Sequence, residues 1–389
     1  MEKEELELYI HIPFCVKKCA YCDFLSAPAD TNQQVEYVKA LQEEMKSYQK
    51  TAEAYIVTSV FFGGGTPSIL DPSLMKDMMR TLYSIFEMKE EAEITIEINP
   101  GTVTKEKLEV YKEIGVNRIS IGLQSTQDAE LKLLGRIHSY ETFLQTYKLV
   151  RHLGFENINI DLISAIPGQS CASWVQTITT VAQLNPEHIS AYSLIIEEGT
   201  PFYDQYGGDT LENKGLEQDV PPLPNEEDER QMYEDTRRIL HTYGYHRYEV
   251  SNYAKVGYEC RHNLGYWRRT PYLGFGIGAA SLLGHVRFAN GSDIQKYIQT
   301  YLHQETTEEL VLLERADHEV LTAKEEREET IFLGLRTMEG IELTDEIREH
   351  YLPIIHKFME SECMEIKENR LMLTEKGISV SNYILSEFL

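Results

Sequence analysis

Short apolar runs alternate with longer amphipathic stretches through the first 200 residues. The runs are LYIHI (8–12), SVFF (59–62), EITIEI (93–98), RISIGL (118–123), INIDLI (158–163) and HISAYSL (188–194). They are brief and rich in Ile, Val, Tyr and Phe, which predicts strands. Between them, VEYVKALQEEMKSY (35–48) spaces Val35, Val38, Leu41 and Met45 by three or four residues, and SLMKDMMRTLYSIF (73–86) does the same with Leu74, Met78, Leu82 and Ile85. That spacing lines one face of a helix. Gly115 and Gly154 stand where helices need a left-handed C′ residue before the next strand. Ser125-x-x-Asp128 predicts a capping box before LKLLG.

Six strands alternating with helices imply parallel pairing through right-handed crossovers. Six units are two short of an eightfold barrel, so the expected class is α/β, an incomplete (β/α)6 barrel. A doubly wound sheet is the competing architecture, and periodicity does not separate the two.

The pattern dissolves between about 201 and 230, where GGDTLENKGLEQDVPPLPNEEDER predicts an acidic surface loop. A mixed segment follows to about 300, and from about 305 the chain reads as helical. There Thr322-x-x-Glu325 predicts a capping box and CMEIKENRLMLTEKG a two-stranded ribbon turning at Glu368-Asn369. Three units are expected: a core over 1–230, an extension over 231–304, and a small helical, winged-helix-like domain over 305–389.

Composition narrows the function. The chain has 389 residues, 42% hydrophobic and 26% charged, ordinary for a globular protein. Its formal charge of −26 repels nucleic acid phosphate, and no basic patch offsets it. The acidic start MEKEELELYIHI reads as neither a secretory signal nor a membrane anchor, which predicts a cytoplasmic location. Of six cysteines, Cys15, Cys19 and Cys22 cluster in FCVKKCAYCDF, while Cys171, Cys260 and Cys363 stand alone. Structural zinc normally takes four protein ligands, and a thioredoxin-like site needs only C-x-x-C. Three cysteines on one loop suit a [4Fe–4S] cluster with one iron open to a small molecule.

YIHIPFC-x3-C-x-Y-C resembles the entry motif of the radical S-adenosylmethionine (SAM) family. The resemblance implies that Cys15, Cys19 and Cys22 hold the cluster and that SAM chelates the open iron. FFGGGTPS (61–68), Glu97 in ITIEINP, Gln124 in SIGLQS, Arg136 in LLGRIH and Asp161 in NIDLI all fall at or near strand ends. In a parallel sheet or barrel those ends share one rim, where ligands bind. The full set resembles the oxygen-independent coproporphyrinogen III oxidase branch. By that resemblance Tyr9, Tyr21, Gly64, Gly65, Thr66, Glu97, Gln124, Arg136 and Asp161 line the SAM site.

Two features then divide the branch. The oxidases carry a fourth cysteine two residues after the third, where this chain has Phe24. RHNLGYW (261–267) matches the HNxxYW motif of HemW-type relatives, which bind heme and deliver it to client proteins. The resemblance implies heme contacts at His262, Asn263, Tyr266 and Trp267. A neutral imidazole suits an axial position and the aromatics suit a flat macrocycle, with Cys260 a rival ligand. The expected function is thus a heme chaperone whose partners are heme and client hemoproteins, including membrane-associated respiratory proteins. The alternatives are the oxidase itself, disfavoured by Phe24, and another radical-SAM enzyme such as a methyltransferase.

Overall fold

The computed structural model describes residues 3–208, 220–303 and 315–389. The middle of the predicted acidic loop, 209–219, therefore lies outside the described residues. Six strands match the six apolar runs: β1 (Glu4–Ile12), β2 (Tyr55–Gly64), β3 (Met88–Ile98), β4 (Arg118–Gln124), β5 (Ile158–Ser164) and β6 (His188–Ser193). They pair in chain order, every pair parallel. A doubly wound sheet would reverse direction at a switch point. Here each crossover advances one strand the same way, which gives the open, incomplete barrel.

The strands carry two chemically different faces. Leu6, Leu8, Ile10 and Ile12 of β1, Ile94, Ile96 and Ile98 of β3, Ile119, Ile121 and Leu123 of β4, and Ile158, Ile160 and Leu162 of β5 join one apolar core with helices Thr31–Ser47 and Pro72–Ile85. The intervening positions point the other way. They carry Glu7, Ser59, Glu93, Thr95, Arg118, Ser120, Asn159, His188 and Ser190, all buried. Buried polar groups need partners, and several find them across strands, while Thr95 Oγ1, Glu7 Oε2 and Arg118 Nε have none among the described residues. Asn159 Nδ2 donates to Ser120 Oγ at 2.8 Å, and its Oδ1 meets His188 Nδ1 at 2.6 Å. The barrel interior is thus polar while its outer face is greasy.

Later chain covers both open edges. β7 (His246–Arg247) and β8 (Asn252–Ala254) extend the β6 edge antiparallel. β9 (Tyr272–Phe275) joins β1 in parallel, followed antiparallel by β10 (Ala280–Leu283), β11 (Val286–Asn290) and β12 (Arg315–Val320). Between β8 and β9 the helix Arg261–Trp267, which is RHNLGYW, crosses from one edge to the other. A separate three-stranded sheet, ordered β13 (Ile341–Glu342), β15 (Arg370–Leu373), β14 (Met364–Lys367), packs with helices Ala323–Gly334 and Asp345–Glu360 on a second core that includes Ile331, Leu335, Ile355 and Leu371.

Local signals fare unevenly. The Thr322 capping box forms. Gly115 and Gly154 have φ of 93° and 79°, and Glu368 and Asn369 turn the ribbon with φ of 49° and 64°. The Ser125 box does not form: Ser125 Oγ donates to Glu130 Oε2 and accepts from Gln127 N–H, while Gln127 caps the helix without a side-chain bond. The stretch 201–230 is not all loop, since Pro201–Tyr206 is helical and Asn225 caps a helix over Glu226–Thr242. The tail past 305 is not all helix either, because β12 adds to the large sheet. No described helix is long and apolar enough to cross a membrane.

Candidate cofactor site

The C-terminal ends of β1–β6 surround a cavity of about 390 Å³. Cys15, Cys19, Tyr21, Cys22, Gly64, Gly65, Thr66, Glu97, Gln124, Arg136 and Asp161 all line it. The cysteine loop leaves β1 and folds back, with Cys15 N–H donating to Ala27 O at 3.1 Å. Cys15 Sγ lies 3.3 Å from Thr66 Oγ1, and Arg136 Nη1 donates to Cys19 Sγ at 3.7 Å. Burial pushes the Cys22 thiol up, opposed by a bond from the Phe24 backbone N–H. Among the described residues no three His, Cys, Asp or Glu side chains gather tightly enough to hold a single metal ion.

The glycines of FFGGGTPS make room for protein as well as ligand. A Cβ on Gly65 would lie 2.7 Å from Phe14 O, and one on Gly64 (φ 105°) would lie 2.6 Å from the His11 ring. These contacts let the end of β2 lie flat against the start of the cysteine loop. Gly64 N–H also reaches the Glu97 carboxyl. Burial, and then the neighbouring Asp161, push Glu97 up to about 8. Asp161 is raised by burial too, against hydrogen bonds from Ser120 at 2.9 Å and Asn159 at 2.8 Å. Gln124 closes β4 with φ of 74°, an uncommon conformation for a non-glycine residue.

One residue escaped the sequence reading. Asn99 lines the same cavity, donates to Thr66 Oγ1 at 2.7 Å and accepts from Arg136 Nη2 at 2.5 Å. It ties the cysteine side of the site to the arginine. Its signal was its place two residues after Glu97, on the same side of an extended chain.

A second cavity of about 620 Å³ lies beside the first, and Asp23 and Phe24 belong to both walls. Phe24 is 59% exposed, so the residue at the fourth-cysteine position stands at the boundary. Tyr9 faces this second cavity, contrary to its expected place in the first. Its ring stacks on Phe61 at 6.3 Å, and its hydroxyl meets His11 Nδ1 at 3.2 Å.

The RHNLGYW helix divides its residues between two environments. Tyr266 and Trp267 line the second cavity. His262 does not. It is 2% exposed, with Nδ1 at 2.8 Å from Ser59 Oγ, Nε2 at 3.1 Å from the Tyr266 hydroxyl, and its ring stacked on Phe61 at 5.1 Å. Burial lowers its pKa to about 3. The expected open imidazole is therefore a neutral floor residue with both nitrogens engaged. Asn263 lines neither cavity, and its backbone N–H serves Cys260. Cys260 is fully buried, and its thiol donates to Glu93 Oε1 at 3.4 Å. Glu93 also accepts from Arg261 N–H at 3.2 Å and His262 N–H at 3.4 Å.

The radical SAM superfamily profile matches residues 9–181, and the HemN C-terminal domain profile matches 321–380. The heme chaperone HemW of Bacillus subtilis is 35% identical over 98% of both chains. That of Escherichia coli is 38% identical over 74% of this chain and 71% of its own. The chain belongs to the HemW family. A solved structure of coproporphyrinogen III oxidase (HemN) from Escherichia coli superimposes with a TM-score of 0.82 over 99% of this chain and 90% of its own, at 22% identity, which shows a shared fold.

Membership of a radical SAM family implies a [4Fe–4S] cluster and SAM, and the donor set of this HemW-family chain fits both. Three thiols face one cavity with Arg136 beside them. A carboxyl that burial keeps largely protonated, Glu97, faces the same space and would gain from an ammonium partner.

Proposed function

We propose that this chain binds heme and hands it to client hemoproteins, on a radical-SAM scaffold. The carrying observation is the second cavity, walled by Tyr266 and Trp267 of the HNxxYW motif and joined to the cysteine-lined pocket at Phe24. The full-length similarity to the HemW chaperone of Bacillus subtilis supports the same reading. On this reading Cys15, Cys19 and Cys22 ligate the cluster, and SAM lies against Gly64–Thr66, Glu97, Gln124, Arg136 and Asp161. Tyr266 and Trp267 then pack against the macrocycle, while His262 supports them from below through its bond to the Tyr266 hydroxyl. When bound, the cluster supplies an electron and an open coordination site. The protein's own groups orient the cofactor and separate it from the heme. The clients expected on this reading are cytoplasm-facing hemoproteins, including respiratory ones.

Hemin titration of the anaerobically reconstituted protein, followed by Soret absorbance, tests the proposal. Trp267→Ala and Tyr266→Ala should weaken binding about tenfold while leaving the cluster absorbance intact. No Soret change in the wild type sinks the chaperone reading. Turnover of coproporphyrinogen by the same preparation would replace it with the oxidase.

A further inference from the structure

The wall of the larger cavity also holds two cations, although the chain carries a net −26. Arg269 follows the RHNLGYW helix and Arg287 lies on β11. Both line the cavity, as does Glu329 from helix Ala323–Gly334. Glu329 bridges them: Arg269 Nε donates to its Oε2 at 2.7 Å, and Arg287 Nη2 donates to its Oε1. Their remaining partners are looser. Arg269 Nη2 lies 3.5 Å from Glu326, which His285 Nδ1 approaches at 2.8 Å, and Arg287 Nη1 lies 3.9 Å from Glu319. The Arg269 and Arg287 side chains are 14% and 34% exposed, so the pair is only partly screened by water.

Arg269 also has φ of 56°, a backbone conformation that non-glycine residues take at a cost. Three neighbouring Tyr and Trp rings complete the wall. Tyr272 hydrogen-bonds Arg287 and sits edge-on to Tyr266 at 4.7 Å, and Trp267 has a buried indole N–H with no acceptor among the described residues. The cavity thus has an aromatic face for a flat body and a guanidinium pair at one edge.

We propose that Arg269 and Arg287 recognise paired carboxylates on a planar aromatic ligand, and that Glu329 holds their place until the ligand displaces it. The inference rests on the heme reading and adds to it the ligand's orientation, with the propionates toward Arg269 and Arg287. Exchanging one carboxylate for another costs little at a guanidinium. The affinity then comes from burying the macrocycle, and the arginines set direction and selectivity. Because Glu329 belongs to the HemN C-terminal segment, its displacement also releases one tie between that segment and the cavity. Ligand entry would therefore loosen the docking of helix Ala323–Gly334.

The test uses the full-length protein and two probes, hemin and hemin dimethyl ester, which lacks the free carboxylates. Wild type should bind hemin at least tenfold tighter than the ester. Arg269→Gln with Arg287→Gln should remove that preference while leaving ester affinity unchanged, which also shows that the variant is folded. Glu329→Gln should bind hemin at least as tightly as wild type. Limited proteolysis should cut wild type near residues 320–335 faster with hemin than with the ester. Equal wild-type affinity for the two probes, or an undiminished preference in the double arginine variant, overturns this proposal and leaves the heme reading standing. Failure of wild type to bind either probe overturns both.

Discussion

Gly265 offers the sharpest test of how the RHNLGYW helix is seated. A Cβ built there would lie 1.9 Å from Glu7 Oε1 and 2.2 Å from Glu7 Cδ, where ordinary contact begins at 3.4 Å. Something must move by about 1.5 Å, the difference between those distances. Glu7 has nowhere to go. It is 3% exposed, hydrogen-bonded to Ser59, and 3.8 Å from His262. Gly265→Ala therefore forces a core shift costing about 1–3 kcal/mol and strains or breaks a hydrogen bond worth about 1 kcal/mol. Against this, Ala gains about 1 kcal/mol over Gly in a helix, which leaves a net loss of about 2 kcal/mol. The Glu7→Ala background empties the space, so there Gly265→Ala should be neutral or stabilising. Equilibrium urea unfolding of the four proteins gives the coupling energy, expected near 2–3 kcal/mol. Glu7→Gln keeps the bulk and should not relieve the clash. If Gly265→Ala costs the same with and without the Glu7 side chain, the reasoning fails.

Three further outcomes follow from the same geometry. Arg118, 2% exposed among Glu93 and Asp161, should be costly to remove: Arg118→Met leaves buried carboxyls uncompensated and should lose about 3–5 kcal/mol by chemical denaturation. Stability of the cluster-free protein should peak at mildly acidic pH. Burial holds His262 down at about 3, and burial with Arg136 holds His138 at about 4, so their contribution is complete above 6.5 and lost as pH falls through the folded values. Burial pushes Glu7 up to about 9 and Glu97 up to about 8, so their contribution is present below 4.5 and lost as pH rises through the folded values. Thermal melts across pH should show Glu7→Gln and Glu97→Gln flattening the alkaline limb, and an unchanged limb would count against these assignments. Finally, Asn99→Ala should weaken SAM binding about tenfold by freeing Arg136 and Thr66, with cluster absorbance retained; equal affinity by calorimetry would remove Asn99 from the site.

Much of the site was legible because it depends on local order. Three cysteines within eight positions after a strand meet on one loop whatever surrounds them. Glycines 63–65 had to stand at the end of β2, and the Glu97, Gln124 and Asp161 positions share a rim once the strands run parallel. The polar interior was also present in the sequence. EITIEI places Glu93, Thr95 and Glu97 at every second position, and INIDLI places Asn159 and Asp161 likewise. Buried parallel strands usually read as nearly continuous apolar runs, so charges at period two mark an inward face. The Ser125 box was misread because the helix starts at Asp128 with Gln127 as its cap, and the Ser125 hydroxyl oxygen accepts from Gln127 N–H in the turn before it.

The sequence by itself determined the six strands, their order of appearance, the cysteine loop and the glycine turns, because each rests on spacing within a few residues. Tertiary structure alone decided what RHNLGYW does. Its His262 side chain is claimed by Ser59, and its first N–H groups by Glu93, more than 150 positions earlier in the chain. Glu7 lies where a Cβ at position 265 would be, so only glycine fits there. Those contacts turn one end of a seven-residue motif into the barrel floor and leave Tyr266 and Trp267 to face the open cavity. Spacing cannot reveal such a division, since it depends on which distant side chains reach each residue first.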